Sequence, residues 1–342
     1  MKALLLNDGE LRVGRTEDPS AGPGQVLART LACAICASDH HMVHHGRRLA
    51  DWSNNHDGPF HFDPDQDLVL GHELCAEIVE FGPETDRVLP LGQRVVGPPT
   101  LFHPGGMAVL GYSNDYPGGF GEYLLMSESV LLAVPDAVTT DQAALVEPLS
   151  VGMQYARVAD IAPGEVPLVI GCGAIGIAVI AALRRQGVRP IVAADFSPMR
   201  RATAAASGAD EVVDPAEETA FAAWARLAPR GARCVIVECV GASGVLNGIF
   251  TDAPWFSRVI VAGQNLDDDV FFTASAHTKM LNVQFGSLPI PADFVHALGA
   301  IADGSIDVSG WLTGTALLDD AVDAFARSAD TETHTRLVIH PA

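Results

Sequence analysis

Two patterns of apolar and polar positions divide the chain. Over its first part, short alternating runs dominate, at Lys2–Leu6, Gln25–Ala32, Glu77–Glu80, Arg94–Val96 and Tyr123–Met126. Gly and Pro punctuate them, as in Ala21-Gly22-Pro23-Gly24 and Pro117-Gly118-Gly119. A period of two broken by turn residues predicts β-strands with one face buried. From Asp141 the period changes. A helix is predicted over Gln142–Ala159, then a continuous apolar strand at Val166–Ile170. Helix Ile175–Gln186, strand Pro190–Ala194, helix Pro198–Ser207 and strands Glu211–Val213, Val235–Glu238 and Val259–Ala262 follow. Strands alternating with helices predict a parallel sheet covered on both faces. The tail Asp293–His340 reads as helical, closing in a strand at Arg336–Ile339. The expected fold class is therefore α/β. A mostly β domain spans 1–149, a doubly wound parallel domain 150–287, and a C-terminal segment 288–342.

Composition narrows the function classes. Of 342 residues, 48% are hydrophobic and 18% charged, enough to bury a sizeable core, which excludes a mainly disordered or fibrous chain. Lys and Arg number 21 against 42 Asp and Glu, a net charge of −21. Such a surface repels phosphate backbones and anionic lipid, so neither nucleic acid nor a membrane is an expected partner. No run approaches the ~18 apolar residues a membrane span needs. The apolar stretch Ala3–Leu6 is too short for a signal peptide, so the expected compartment is a reducing cytoplasm. There the six cysteines (Cys33, Cys36, Cys75, Cys172, Cys234, Cys239) read as thiols or ligands, not as a disulfide frame.

The strand Val166–Ile170 runs into Gly171-Cys172-Gly173-Ala174-Ile175-Gly176 and then into an Ala/Ile-rich helix. Gly171 permits the tight turn, Gly173 lets backbone approach a pyrophosphate, and Gly176 lets helix and strand pack closely. With a strand before and a helix after, the loop has the context of a dinucleotide site. Asp195 ends the next strand, 195 − 176 = 19 residues past the last glycine. An acid there accepts hydrogen bonds from ribose hydroxyls and repels a 2′-phosphate, which favours NAD over NADP. Arg200 and Arg201 stand nearby, and an arginine can accommodate that phosphate; otherwise they are the exposed face of a helix.

A second constellation lies in the β part. Cys36-Ala37-Ser38-Asp39-His40-His41 follows a predicted strand, and Gly71-His72-Glu73 follows the apolar run Leu68–Leu70. Glu147 sits in Val146-Glu147-Pro148-Leu149 at the domain join. A thiolate, an imidazole and a carboxylate make a three-ligand set for catalytic zinc, leaving a fourth position for water or substrate. Spacing alone does not establish it.

These residues bring a family into view. The chain resembles the zinc-dependent medium-chain dehydrogenases, alcohol and polyol dehydrogenases with a GroES-like catalytic domain and a Rossmann domain. The matches run in family order: Cys36-x-Ser38-Asp39-x-His41, Gly71-His72-Glu73, Gly118-Gly119-Phe120-Gly121-Glu122-Tyr123, Glu147-Pro148-Leu149, the glycine loop and Glu238-Cys239-Val240-Gly241. The resemblance implies zinc held by Cys36 and His72, with Glu73 and Glu147 as carboxylates that bind it directly or through water. It implies Ser38 on the substrate oxygen, His41 ending a proton relay, and Asp39 orienting His72. Gly171, Gly173, Ala174, Ile175, Gly176, Asp195, Arg200, Val240 and Arg336 would serve the cofactor. The closing strand would return to the first domain. One catalytic zinc per subunit, NAD, a secondary alcohol or polyol, and a homodimer or homotetramer are the expectations that follow.

Two departures stand out. Gly97–Pro117 holds no cysteine, so the structural zinc often found in this family is not expected. The Cys36-to-His72 separation, 72 − 36 = 36 residues, is longer than the resemblance suggests, and the extra stretch Arg47–Gln66 carries Trp52, Phe60 and Phe62. Those aromatics are expected to shape the substrate mouth. Two other readings stand beside the main one: a zinc-free enone or quinone reductase, and a non-catalytic NAD- or zinc-binding protein. The first lacks Cys36 and His72; the second has no use for Ser38 and His41. Seven of the twelve histidines fall between His40 and His72, and apart from His41 and His72 they read as surface or hydrogen-bonded groups. Cys33 reads as core and not as a redox partner of Cys36.

Overall fold

The computed structural model describes every residue but Asp57, Ser287 and Ala342. It divides into two compact units, Met1–Glu147 with Leu312–Ala342, and Pro148–Trp311. Among the described residues no helix is long and apolar enough to cross a membrane.

The first unit is built on strands. Its larger sheet runs Leu132–Ala133, Arg94–Val96, Glu73–Phe81, Gln25–Ala34, Arg336–His340, Leu312–Leu317, with Tyr123–Ser127 also pairing onto Gln25–Ala34. A small antiparallel sheet joins Glu10–Arg15, Lys2–Asn7 and Leu68–Val69. The register around one strand end decides the site. Ala34 stands opposite Glu73 on one side and Val338 on the other. Cys36, Glu73 and Arg336 are thereby drawn to one end of the sheet. Gly71, φ +100°, makes the turn that leads into Glu73, and a Cβ there would meet Cys33 Sγ and the Phe120 nitrogen at 2.8 Å.

Immediately after Cys36 the chain enters a 19-residue helix, Ala37–Asn55, where the apolar pattern predicts none. Its buried face, Asp39, Met42, Gly46, Leu49, Ala50 and Ser53, has helical spacing but few large apolar side chains, so the sequence pattern is faint.

The second unit has a six-stranded parallel sheet ordered Glu211–Val213, Val192–Ala194, Glu165–Ile170, Arg233–Glu238, Arg258–Val261, Asn282–Phe285. From Glu165–Ile170 the chain first winds one way and then returns to the other side. The carboxyl ends of these strands therefore flank a topological switch point, the usual crevice for a ligand. One face is sealed by Trp224, Leu246, Ile249 and Phe250 against Leu168, Val192, Ile236 and Val259.

Boundaries differ from the sequence expectation. The chain returns to the first unit at Leu312, not at 288. Helix Pro291–Ala302 stays with the second unit because Asp293 takes a two-pronged ion pair from Arg157, and Arg185 bonds Ser305. The tail is also not helical throughout. Leu312–Leu317 is a strand parallel to Arg336–His340, with helix Ala321–Ser328 between them. The helix expected over Gln142–Ala159 is two, Thr140–Ala144 and Val146–Ala159.

Candidate active site

Cys36 closes the first turn of the long helix. Its backbone N–H donates to Asp39 Oδ2 at 2.8 Å, so Asp39 satisfies one of the helix's orphan donors. The other oxygen, Oδ1, lies 3.6 Å from His72 Nδ1. One carboxylate thus braces two elements far apart in sequence and turns Nε2 of His72 toward Ser38, whose Oγ is 3.3 Å away.

Cys36, His72 and Glu73 each offer a donor atom, and these atoms all lie within 4.8 Å of one another. Arg336 donates to Glu73 Oε1 at 2.7 Å in a buried ion pair. The other oxygen, Oε2, is buried and has no hydrogen-bond partner among the described residues. An orphaned carboxylate oxygen beside a thiol and an imidazole fits a divalent metal, and sulfur, nitrogen and oxygen donors together suit zinc.

Burial pushes the Cys36 thiol up, and the Glu73 charge adds to it. Burial pushes His72 down, but Tyr112 and the nearby Asp39 carboxylate and Cys36 outweigh it and leave the imidazole raised. Glu147 stands outside the trio but feels it. Burial above all, with Glu73 and Asp39 adding to it and His72 and Arg336 opposing, pushes its carboxyl up to about 7.

Arg336 takes Glu73 as its partner and feels the Cys36 thiolate; the resemblance implies a place for it close to both the zinc-thiolate and a cofactor phosphate. Ser38 and His41 lie one helical turn apart, and the His41 ring meets His45 edge-on at 6.4 Å. Of the aromatics in Arg47–Gln66, Trp52 is exposed and stacks on His56 at 5.5 Å, and Phe62 is buried. Only Phe60 leads to the site, through Tyr112: the two rings are 5.0 Å apart, and Tyr112 lies 5.7 Å from His72. Sequence reasoning missed Tyr112. It sits in the cysteine-free stretch, where the one visible signal was what the segment lacks.

In the second unit the glycine loop is tightly built. A Cβ on Gly176 would lie 1.9 Å from the Gly171 carbonyl oxygen, so only glycine brings helix Ala174–Arg185 onto the turn. Asp195 Oδ2 accepts the Cys172 N–H at 2.7 Å and Oδ1 the Ser197 N–H at 2.8 Å. Two oxygens have about four acceptor sites, so capacity remains. The Arg200 guanidinium lies 4.0 Å from where a Cβ on Gly173 would stand, and Ala174 and Ile175 open the helix. Val240 is exposed at the end of Arg233–Glu238, its N–H held by Glu238 Oε1 at 2.6 Å.

Residues 22–136 match the alcohol dehydrogenase GroES-like domain and residues 174–303 the zinc-binding dehydrogenase domain. The chain belongs to the zinc-dependent medium-chain dehydrogenases. It is 34% identical over 220 residues to (R,R)-butanediol dehydrogenase of Bacillus subtilis, 62% of each chain. It is 27% identical to sorbitol dehydrogenase of Rattus norvegicus, across 95% of this chain and 91% of that one. The crystal structure of 2R,3R-butanediol dehydrogenase from Bacillus subtilis matches with a TM-score of 0.81 at 25% identity, covering 100% of this chain and 99% of that one.

Proposed function

We infer that the protein is a zinc- and NAD-dependent dehydrogenase that interconverts a secondary alcohol or vicinal diol and its carbonyl. The observation that carries this reading is Ser38 Oγ at 3.3 Å from His72 Nε2, beside three converging metal donors. A metal-binding protein without catalysis has no use for a hydroxyl there. The relatives named as butanediol and sorbitol dehydrogenases support the alcohol class.

Cys36, His72 and Glu73 would hold the zinc, with Glu147 as a nearby carboxylate that reaches it directly or through water. When bound, the metal supplies a Lewis acid that lowers the pKa of an alcohol. Ser38 would hydrogen-bond the alcohol and accept its proton, and a nicotinamide, when bound, would supply the hydride acceptor. His41, one turn along the helix, passes that proton toward solvent. Asp39 keeps His72 in one orientation throughout. Asp195 receives the adenosine ribose and disfavours a 2′-phosphate.

We further infer a homodimer or homotetramer in the cytoplasm. Asn282–Phe285 is an open sheet edge, and Phe285 and Leu288 beside it are exposed apolar groups. Such an edge is satisfied by pairing with a second copy.

The test is a panel of alcohols and polyols with NAD and with NADP, followed by absorbance of the reduced cofactor. Metal analysis of the same protein should give one zinc per chain. No turnover of any alcohol by zinc-loaded protein would overturn the reading.

A further inference from the structure

The cysteine-free stretch contributes more than an absence. After the hairpin of Thr100–His103 and Gly106–Val109, the chain turns at Tyr112, whose N–H donates to the Val109 carbonyl at 3.1 Å. Tyr112 is 9% exposed. One neighbour of its ring is the His72 imidazole, 5.7 Å away and tilted by 43°. The other is Phe60, 5.0 Å away and tilted by 40°. Ser38 Oγ lies 3.3 Å from Nε2 of the same imidazole. Ser38 and the Tyr112 ring therefore both stand beside His72.

A simple alcohol has one oxygen and Ser38 suffices for it. The Tyr112 phenol offers an O–H donor beyond what a one-oxygen substrate uses. A substrate with oxygen on the adjacent carbon gives that hydroxyl a partner. Phenols stay protonated at neutral pH and donate, so the preferred second group is a hydroxyl or carbonyl oxygen that can accept. A site built to hydrogen-bond a substrate oxygen discriminates strongly against the analogue that lacks it.

We propose that Tyr112, backed by Phe60 of the Arg47–Gln66 stretch, is the specificity-determining residue that donates a hydrogen bond to the second oxygen of a vicinal diol. The proposal rests on the dehydrogenase reading above. It also gives the long Cys36-to-His72 connection a role in substrate choice. Phe60 holds the tyrosine ring from behind, while Trp52, exposed and stacked on His56, takes no part.

The test compares Tyr112→Phe with the unaltered protein, using 2,3-butanediol against 2-butanol. Loss of one substrate hydrogen bond should lower the diol-to-monool ratio of kcat/KM about tenfold, chiefly through KM for the diol. Zinc content and KM for NAD serve as controls and should hold. A second readout needs no turnover. In cobalt-substituted protein, the diol should perturb the visible cobalt bands at lower concentration than 2-butanol does, and Tyr112→Phe should remove that advantage. Phe60→Ala should reduce it part-way. An unchanged ratio in metal-replete Tyr112→Phe, or an unaltered protein that prefers 2-butanol, overturns the proposal and leaves the dehydrogenase reading standing. If neither compound is oxidised and neither perturbs the cobalt, the dehydrogenase reading falls and Tyr112's role with it.

Discussion

Arg336 and Glu73, 263 positions apart in sequence, form a buried ion pair with Nη2 2.7 Å from Oε1. The pair fixes one carboxylate oxygen and leaves the other buried without a hydrogen-bond partner among the described residues. It also ties the last strand of the chain to the loop that carries His72.

Arg336→Met should strand the Glu73 charge in a dry environment. Removing one partner of a buried pair costs about 3–5 kcal/mol. Denaturant unfolding of metal-stripped protein checks this; a loss under about 1 kcal/mol would refute it.

Asp39→Asn keeps the shape but weakens the brace between the helix start and His72. Losing such a partner of a ligating histidine typically costs 10–100-fold in metal affinity. Competition for zinc against a chelator measures it. Affinity equal to that of the unaltered protein would show that His72 is oriented by other contacts.

Asp195→Ala removes the acceptor of the Cys172 and Ser197 N–H groups as well as the proposed ribose partner. Binding of NAD should weaken by roughly 1–3 kcal/mol, and discrimination against NADP should fall. The ratio of kcat/KM for the two cofactors is the relevant measurement. A ratio that already favours NADP before substitution contradicts the assignment.

Acid stability should carry a mark of Glu165. Burial pushes this carboxyl up, but Arg258, which donates to it at 2.7 Å, the Ala162 N–H and the Arg233 charge prevail and hold it below the usual range. The folded value is therefore below the unfolded one. Its contribution is complete above the unfolded carboxyl pKa of about 4.3 and is lost as pH falls through the folded value. Glu165→Gln should unfold at lower temperature than the unaltered protein near neutrality, and the gap should close as the pH drops below about 4. Calorimetry across that range tests the sign; a gap that widens in acid refutes it.

The sequence alone determined the glycine loop, the parallel sheet around it, and the family to which Cys36, Ser38, His72 and Glu73 point. Those features are local. A strand, a glycine turn and a helix start are written in adjacent residues, because backbone sterics and apolar periodicity act over a few positions. Helix Ala37–Asn55 was not legible, since its buried face is made of Gly46, Ala50, Ser53 and Asp39 as much as Met42 and Leu49. Tertiary structure alone decided that Asp39 braces both Cys36 and His72, and that Arg336 pairs with Glu73. It likewise decided that Tyr112 stands beside His72 with Phe60 behind it. Each of these depends on strand register and chain return. Those are set by the burial of whole faces, and a one-residue slip at Ala34 would turn Glu73 and Arg336 away from each other.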